Sequence, residues 1–277
     1  MTFPRATART ACLAAVAFAA AGTPRPLAAQ IGAPELVVSG TGGYTFDRAL
    51  ENLRQLVLVP EPGPLLIDTF ALSRSLAPGF SGWIGLTWYP RPGTGFGAEF
   101  GWVAAQVRTS CAILGTPQPD PWEQNTVACA RLSHDRYATS ALPLLATVTV
   151  RGTPGRTYSP FLKAGVGVAL LGHPYDAVTS HSTNGTCTDC ARIIVEGRDR
   201  MLTWAGTLAA GVAIGGRSGY RLRAEVRDVV LGLPVLTGPA DPLAEHPVAP
   251  TSVRAVHRVT LAFGVDVVLN GLRRRRY

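Results

Sequence analysis

Charged residues are scarce in this 277-residue chain: Asp, Glu, Lys and Arg together make up 16% of it, where a soluble globular domain carries about 25%. Lysine is nearly absent, Lys163 being the sole example. Long apolar runs are missing too. The 30 glycines and 22 prolines interrupt every hydrophobic stretch before it reaches the ~18 residues of a membrane-spanning helix. Helical membrane proteins are therefore excluded. Disorder is excluded by the opposite property, because 47% of the residues are hydrophobic and mean hydropathy is +0.18, enough apolar material to bury a core. Nor is there a basic patch interleaved with stacking aromatics. The net charge of +8 is concentrated at the two ends, Arg5, Arg9 and Arg25 at one and Arg273, Arg274, Arg275 and Arg276 at the other. Residues 31–272 are close to neutral, which speaks against a nucleic-acid partner.

The first thirty residues carry the three parts of a secretory signal: basic Arg5 and Arg9, the short apolar segment Cys12 to Gly22, and the small residues Leu27-Ala28-Ala29 before a cleavage point near Gln30 or Ile31. Cys12 precedes the apolar segment, the wrong side for a lipid-anchor cysteine. Four cysteines then remain, Cys111, Cys129, Cys187 and Cys190. An even number in an exported chain points to disulfides, with 111 to 129 and 187 to 190 the favoured pairing. A zinc set is the alternative, since Cys187-Thr188-Asp189-Cys190 has metal-type spacing, although Cys111 and Cys129 do not supply a second close pair.

From residue 31 onward the dominant period is two. Val259, Leu261, Phe263, Val265, Val267 and Leu269 alternate with Arg258, Thr260, Ala262, Gly264, Asp266 and Val268. Similar alternation occurs over 202–214, 220–227 and 161–170, and more weakly near 35–45, 81–90, 96–107 and 142–151, while no comparable helical period is found. Short Gly/Pro turns near 90–95, 152–157 and 215–219 take turns with long connections near 46–80, 108–141, 171–200 and 231–253. In an up-and-down closed sheet this gathers all tight turns at one end and all long loops at the other, the asymmetry of transmembrane barrels. The row opposite the apolar one is Gly, Ala and Thr with clustered ions, which suits the filled inside of a narrow barrel better than the wetted outside of a soluble one. Trp88, Tyr89, Tyr158 and Tyr220 lie toward the short-turn end and Tyr44, Trp83 and Trp204 toward the other, as two interfacial girdles require.

Gly82-Trp83-Ile84-Gly85-Leu86-Thr87-Trp88-Tyr89-Pro90, Ser159-Pro160-Phe161-Leu162-Lys163-Ala164-Gly165-Val166-Gly167 and the last strand with Gly264, Val267 and Leu269 resemble the small eight-stranded outer-membrane β-barrel proteins, the OmpA-like and OmpX-like barrels. The resemblance covers roughly residues 34–270. It departs from that family where Asn270, Gly271 and four arginines separate the last strand from Tyr277. It implies an all-β, eight-stranded antiparallel up-and-down transmembrane barrel, exported through the periplasm and inserted by the barrel-assembly machinery among outer-membrane lipids and lipopolysaccharide. Residues 1–30 would be the signal, 31–270 the barrel with its long loops, and 271–277 a basic tail. Ten strands also fit, because 53–59 and 65–72 form a possible extra hairpin, but its arms are short for a span and are read as part of the first long loop.

The polar set expected to face the lumen is Glu99, Lys163, Arg221, Arg223, Glu225, Arg227, Arg258 and Asp266. Charges inside so narrow a barrel must pair or hold water, so the expectation is a plug of ion pairs and no steady wide pore. A lipid A deacylase would need a His-x-Ser strand motif. Ser133-His134, His181-Ser182 and His257 do not provide it, and a metal site from His173, Asp176, His181 and Asp189 has no recognisable spacing. The expectation is an outer-membrane protein of structural or surface-interaction type, without enzymatic activity or cofactor, presenting loops to an unidentified extracellular ligand. The alternatives are a lipid-modifying enzyme of deacylase type and a soluble, secreted, lipocalin-like binder.

Overall fold

The computed structural model describes residues 34–58, 67–115, 123–134, 136–152, 157–172, 178–179, 192–193, 200–215, 219–239, 241 and 250–269. The described elements all belong to one compact unit, Ala33–Tyr277. The expected export signal and basic tail, with Cys187 and Cys190, lie outside the described residues. That unit contains β1 (Glu35–Thr45), β2 (Arg48–Leu58), β3 (Ile67–Leu76), β4 (Gly79–Arg91), β5 (Thr94–Leu114), α1 (Gln124–His134), β6 (Arg136–Arg151), β7 (Tyr158–Gly172), β8 (Val178–Thr179), β9 (Arg192–Ile193), β10 (Arg200–Ile214), β11 (Tyr220–Leu236) and β12 (Thr251–Val268).

Strands β1, β4, β5, β6, β7, β10, β11 and β12 form a closed antiparallel barrel, in which β1 pairs with both β4 and β12 and β5 with both β4 and β6. The register measures its stagger. From Glu99, the paired row passes through Gly85, Ser39 and Asp266 to Arg221 in one direction, and through Leu145, Gly167 and Ala205 to Leu231 in the other. The two arrivals on β11 differ by ten residues. With ordinary strand spacing and rise, eight strands at that stagger tilt about 41° and enclose a backbone radius of about 8 Å. Each residue then advances about 2.5 Å along the barrel axis, and the shortest barrel strand covers about 27 Å, a match to the ~25 Å apolar band of transmembrane barrels.

The alternation read in the sequence assigns the faces. On the outside, Val166 is 72% exposed, Phe80 68% and Ile84 66%, whereas inside Arg227 is 0% exposed and Glu99 and Lys163 are each 2%. A barrel in water has the reverse arrangement, with apolar residues inside and ions outside. Two aromatics depart from the expected girdles. Trp83 and Tyr89 are buried in the lumen at 4% and 5%, because they share parity with Gly85 and Thr87 and not with the outward row of Ile84, Leu86 and Trp88. The outward aromatics include Trp88, Phe96, Tyr158 and Tyr220 toward the tight turns and Tyr44, Phe46, Phe80, Trp102 and Trp204 toward the other end, with Phe100 and Phe263 between them. At the tight turn between β10 and β11, Gly219 has φ of 83°, a conformation that glycine adopts without steric cost.

The described residues of the stretch 46–80 are mostly strand and not loop. After a break at Phe46-Asp47 and Ala77-Pro78, the β1–β4 wall continues as the β2–β3 hairpin, and β3 pairs with the outer part of β5, from Val107 to Leu114. The hairpin arms do not span with the barrel; they rise beyond its rim on the 21-residue β5. Connection 108–141 likewise holds the end of β5, helix α1 and the start of β6. The buried face of α1 is Asn125, Ala128, Cys129 and Leu132, spaced as a helix requires but with one large apolar side chain, which leaves little signal in the sequence. Cys129 and Leu132 pack with Val57, Phe70 and Leu72 into a second small core, and the Cys111–Cys129 disulfide, Cα–Cα 5.3 Å, ties α1 to β5. Connection 171–200 contains the short β8–β9 pair, and 231–253 is shortened by extension of β11 to Leu236.

Candidate functional site: the lumen and its rim

Arg223, Glu225 and Arg227 are alternate residues of β11, so all three project into the lumen. Arg227 donates to Glu99 of β5 at 3.0 Å and contacts Glu225 at 2.6 Å; Arg223 contacts Glu225 at 2.8 Å and Asp266 of β12 at 3.3 Å. Lys163 of β7 donates to Glu99. Three acids and three bases thus form one charge-balanced chain across the barrel. Aromatic faces cover the guanidinium groups: Trp83 lies 4.2 Å from Arg227 and Phe161 4.0 Å from Arg223, contacts that attract a cation to the ring quadrupole.

The remaining members of the expected set lie elsewhere. Arg221 sits nearer the tight turns and shares Glu35 with Arg151, which stacks 3.5 Å over Tyr89. Arg258 stands apart at the other end, 1% exposed, directing both terminal nitrogens to the Ala77 carbonyl at 3.3–3.4 Å, where the β3–β4 chain breaks. Glu35 and Arg151 were not singled out in the sequence because they lie at strand termini, where alternation is weakest.

Above the ionic layer the lumen is apolar, filled by Trp83, Val103, Leu145, Leu171, Val229 and Leu231. Leu76, Val107 and Val256 continue this layer to the rim, joined by Leu50 from the bulge in β2. Beside Leu50, Glu51 accepts from Arg74 at 2.8 Å. Burial lifts the Glu51 carboxyl above its ordinary value, against the pull of Arg74 and Arg254.

No protein-family model matches the chain, and no curated protein matches it in sequence. Among solved structures it is similar to Neisserial surface protein A, at 10% identity over 84% of this chain and 96% of that one, TM-score 0.39. It is similar to the outer membrane protein AlkL in lipid bilayers, at 12% identity over 90% and 96%, TM-score 0.38. It is also similar to the outer membrane protein OprG from Pseudomonas aeruginosa, at 12% identity over 84% and 96%, TM-score 0.43. The fold is a closed, all-β, eight-stranded barrel with a two-stranded extension.

Of the histidines weighed for catalysis, His257 faces outward from β12 with Nδ1 2.7 Å from Asp228 of β11. Ser133 of α1 is engaged with the backbone, accepting from the Cys111 N–H at 2.9 Å and donating to the Cys129 carbonyl at 3.1 Å. His173, Asp176, His181, Ser182 and Asp189 lie outside the described residues. Among the described residues no group of three or more His, Cys, Asp or Glu is placed to hold a metal ion.

Proposed function

We propose that this chain is an integral outer-membrane protein of structural or surface-interaction type, whose lumen is closed by its ion pairs and whose β2–β3 and α1 extension is displayed at the cell surface. One observation carries the reading: the largest fully buried side chains include Arg227, Arg258, Lys163, Glu99 and Glu225, while leucines, valines and aromatics stand exposed around the whole barrel. Only a solvent less polar than the barrel's interior favours that distribution. It disfavours a secreted lipocalin-like binder. The charge-balanced network across an interior of about 8 Å backbone radius leaves room for side chains and little else, so a steady wide conductance is not expected. Lipids and lipopolysaccharide surround the wall, the barrel-assembly machinery inserts it, and the disulfide-held extension offers an ordered surface to an extracellular ligand. No enzymatic role is assigned.

The test is expression of the full chain, isolation of outer membranes, and electrophoresis with and without boiling. A heat-dependent shift in that fraction supports the reading, and planar-bilayer recordings should then show no steady large conductance. Recovery in the soluble periplasm without a shift would overturn it in favour of the lipocalin-like alternative.

A further inference from the structure

At the rim, Arg108 of β5 and Arg136 of β6 are direct register partners, both exposed on the outer face. Like charges directly opposite on neighbouring strands repel at a Cβ separation of about 5 Å and weaken the pairing. Among the described residues no ion pair involves either arginine, although Arg74 pairs with Glu51 at the same level and Glu99, nine residues deeper on β5, pairs with Lys163 and Arg227. The described residues of the rim are more basic than acidic. Arg48, Arg54, Arg131 and Arg254 are exposed at this end of the barrel, against Asp47, Glu123 and Asp241. Two arginines on directly opposed residues are a fit for a phosphate, which can accept from both guanidinium forks at once.

We propose that Arg108 and Arg136 clamp a phosphate of lipopolysaccharide in the outer leaflet, an inference that rests on the membrane reading above. Height decides the kind of lipid. On β5 the outward apolar row ends at Trp102 and on β6 at Leu142, and each arginine lies six residues farther, about 15 Å along the axis. The headgroup layer of a simple phospholipid is only about 5–8 Å thick on each side. The arginine stems bend back part of that distance, which places the guanidinium groups at the level of phosphates carried on a saccharide and above those of a glycerophospholipid.

The barrel is refolded into neutral phosphatidylcholine vesicles, and its heat-dependent gel shift first establishes insertion; failure there refutes the membrane reading and not the clamp. Urea midpoints are then compared with added lipopolysaccharide, phosphatidylglycerol or inorganic phosphate, and binding is titrated from the shift. Lipopolysaccharide is expected to stabilise the inserted barrel, and R108Q/R136Q to weaken its binding by about thirtyfold, as the loss of two surface arginines implies, while R54Q leaves it within about threefold. An equal effect from phosphatidylglycerol or from inorganic phosphate, or a lipopolysaccharide effect that survives R108Q/R136Q in a variant with the normal gel shift, would overturn the assignment.

Discussion

Replacing Arg227 by methionine tests whether the lumen is held by charge balance. Its guanidinium is 0% exposed and reaches both Glu99 and Glu225. Without it, three acids face two bases in a site closed to water, the situation in which breaking a buried pair costs about 3–5 kcal/mol. Adding Glu225→Gln restores parity, because Glu99 keeps Lys163 and Arg223 keeps Asp266. The double variant should therefore lie within about 1.5 kcal/mol of the parent, since replacing a whole buried pair by neutral groups of similar size is often nearly neutral. Urea unfolding from vesicles measures both. At a slope near 3 kcal/mol per molar, the single variant should lose about 1–2 M in midpoint and the double should recover most of it. Equal losses in the two variants, with no coupling energy between the sites, would show that packing and not charge balance governs this layer.

The lipid-facing assignment predicts that Val166→Arg, at a position 72% exposed midway along β7, costs about 2–4 kcal/mol in a bilayer; a change within about 0.5 kcal/mol in the same urea assay is what a water-exposed face would give. Cys111→Ser with Cys129→Ser opens a link spanning 18 residues and should take about 3 kcal/mol from the extension alone, seen as protease cleavage of α1 while the barrel keeps its gel shift. Glu51, whose carboxyl is lifted by burial, binds its proton more tightly folded than unfolded. The stability it lends is present below the ordinary carboxylate range and lost as pH rises through the lifted value. Protection of the β2 and β3 amides, taken relative to the intrinsic exchange rate at each pH, should therefore fall as pH rises from the ordinary carboxylate range toward neutrality, and Glu51→Gln should flatten that slope.

The alternation of the strands was legible because each barrel wall has one exposed apolar face and one face in a packed lumen, and both faces constrain composition at every second residue. That is why Val259 through Leu269 and Leu222 through Val226 identified their own orientation. Trp83 and Tyr89 were misplaced by judging aromatics on their position along the strand without their parity. The extension was opaque for a different reason. Its hairpin arms border a small core shared with α1, so Leu53, Val57, Phe70 and Leu72 are apolar without facing either lipid or lumen, and the helix depends on a disulfide and one leucine more than on a full hydrophobic stripe. Arg258 carried the right parity for the ionic chain, yet the stagger of the barrel raises it above that layer to the break at Ala77. Parity gives the face of a side chain, and only the register gives its level.

Lys163 is the sole lysine and is 2% exposed, bonded to Glu99 in the lumen. The folded barrel consequently offers amine-directed reagents no side chain at all, and acylation at this position can proceed only while the wall is open. A lysine-reactive mass tag located at Lys163, and so told apart from one on the chain's α-amine, therefore acts as a clock for closure of the barrel, marking that position in chains that were still incomplete when the tag was added and sparing it in those already sealed.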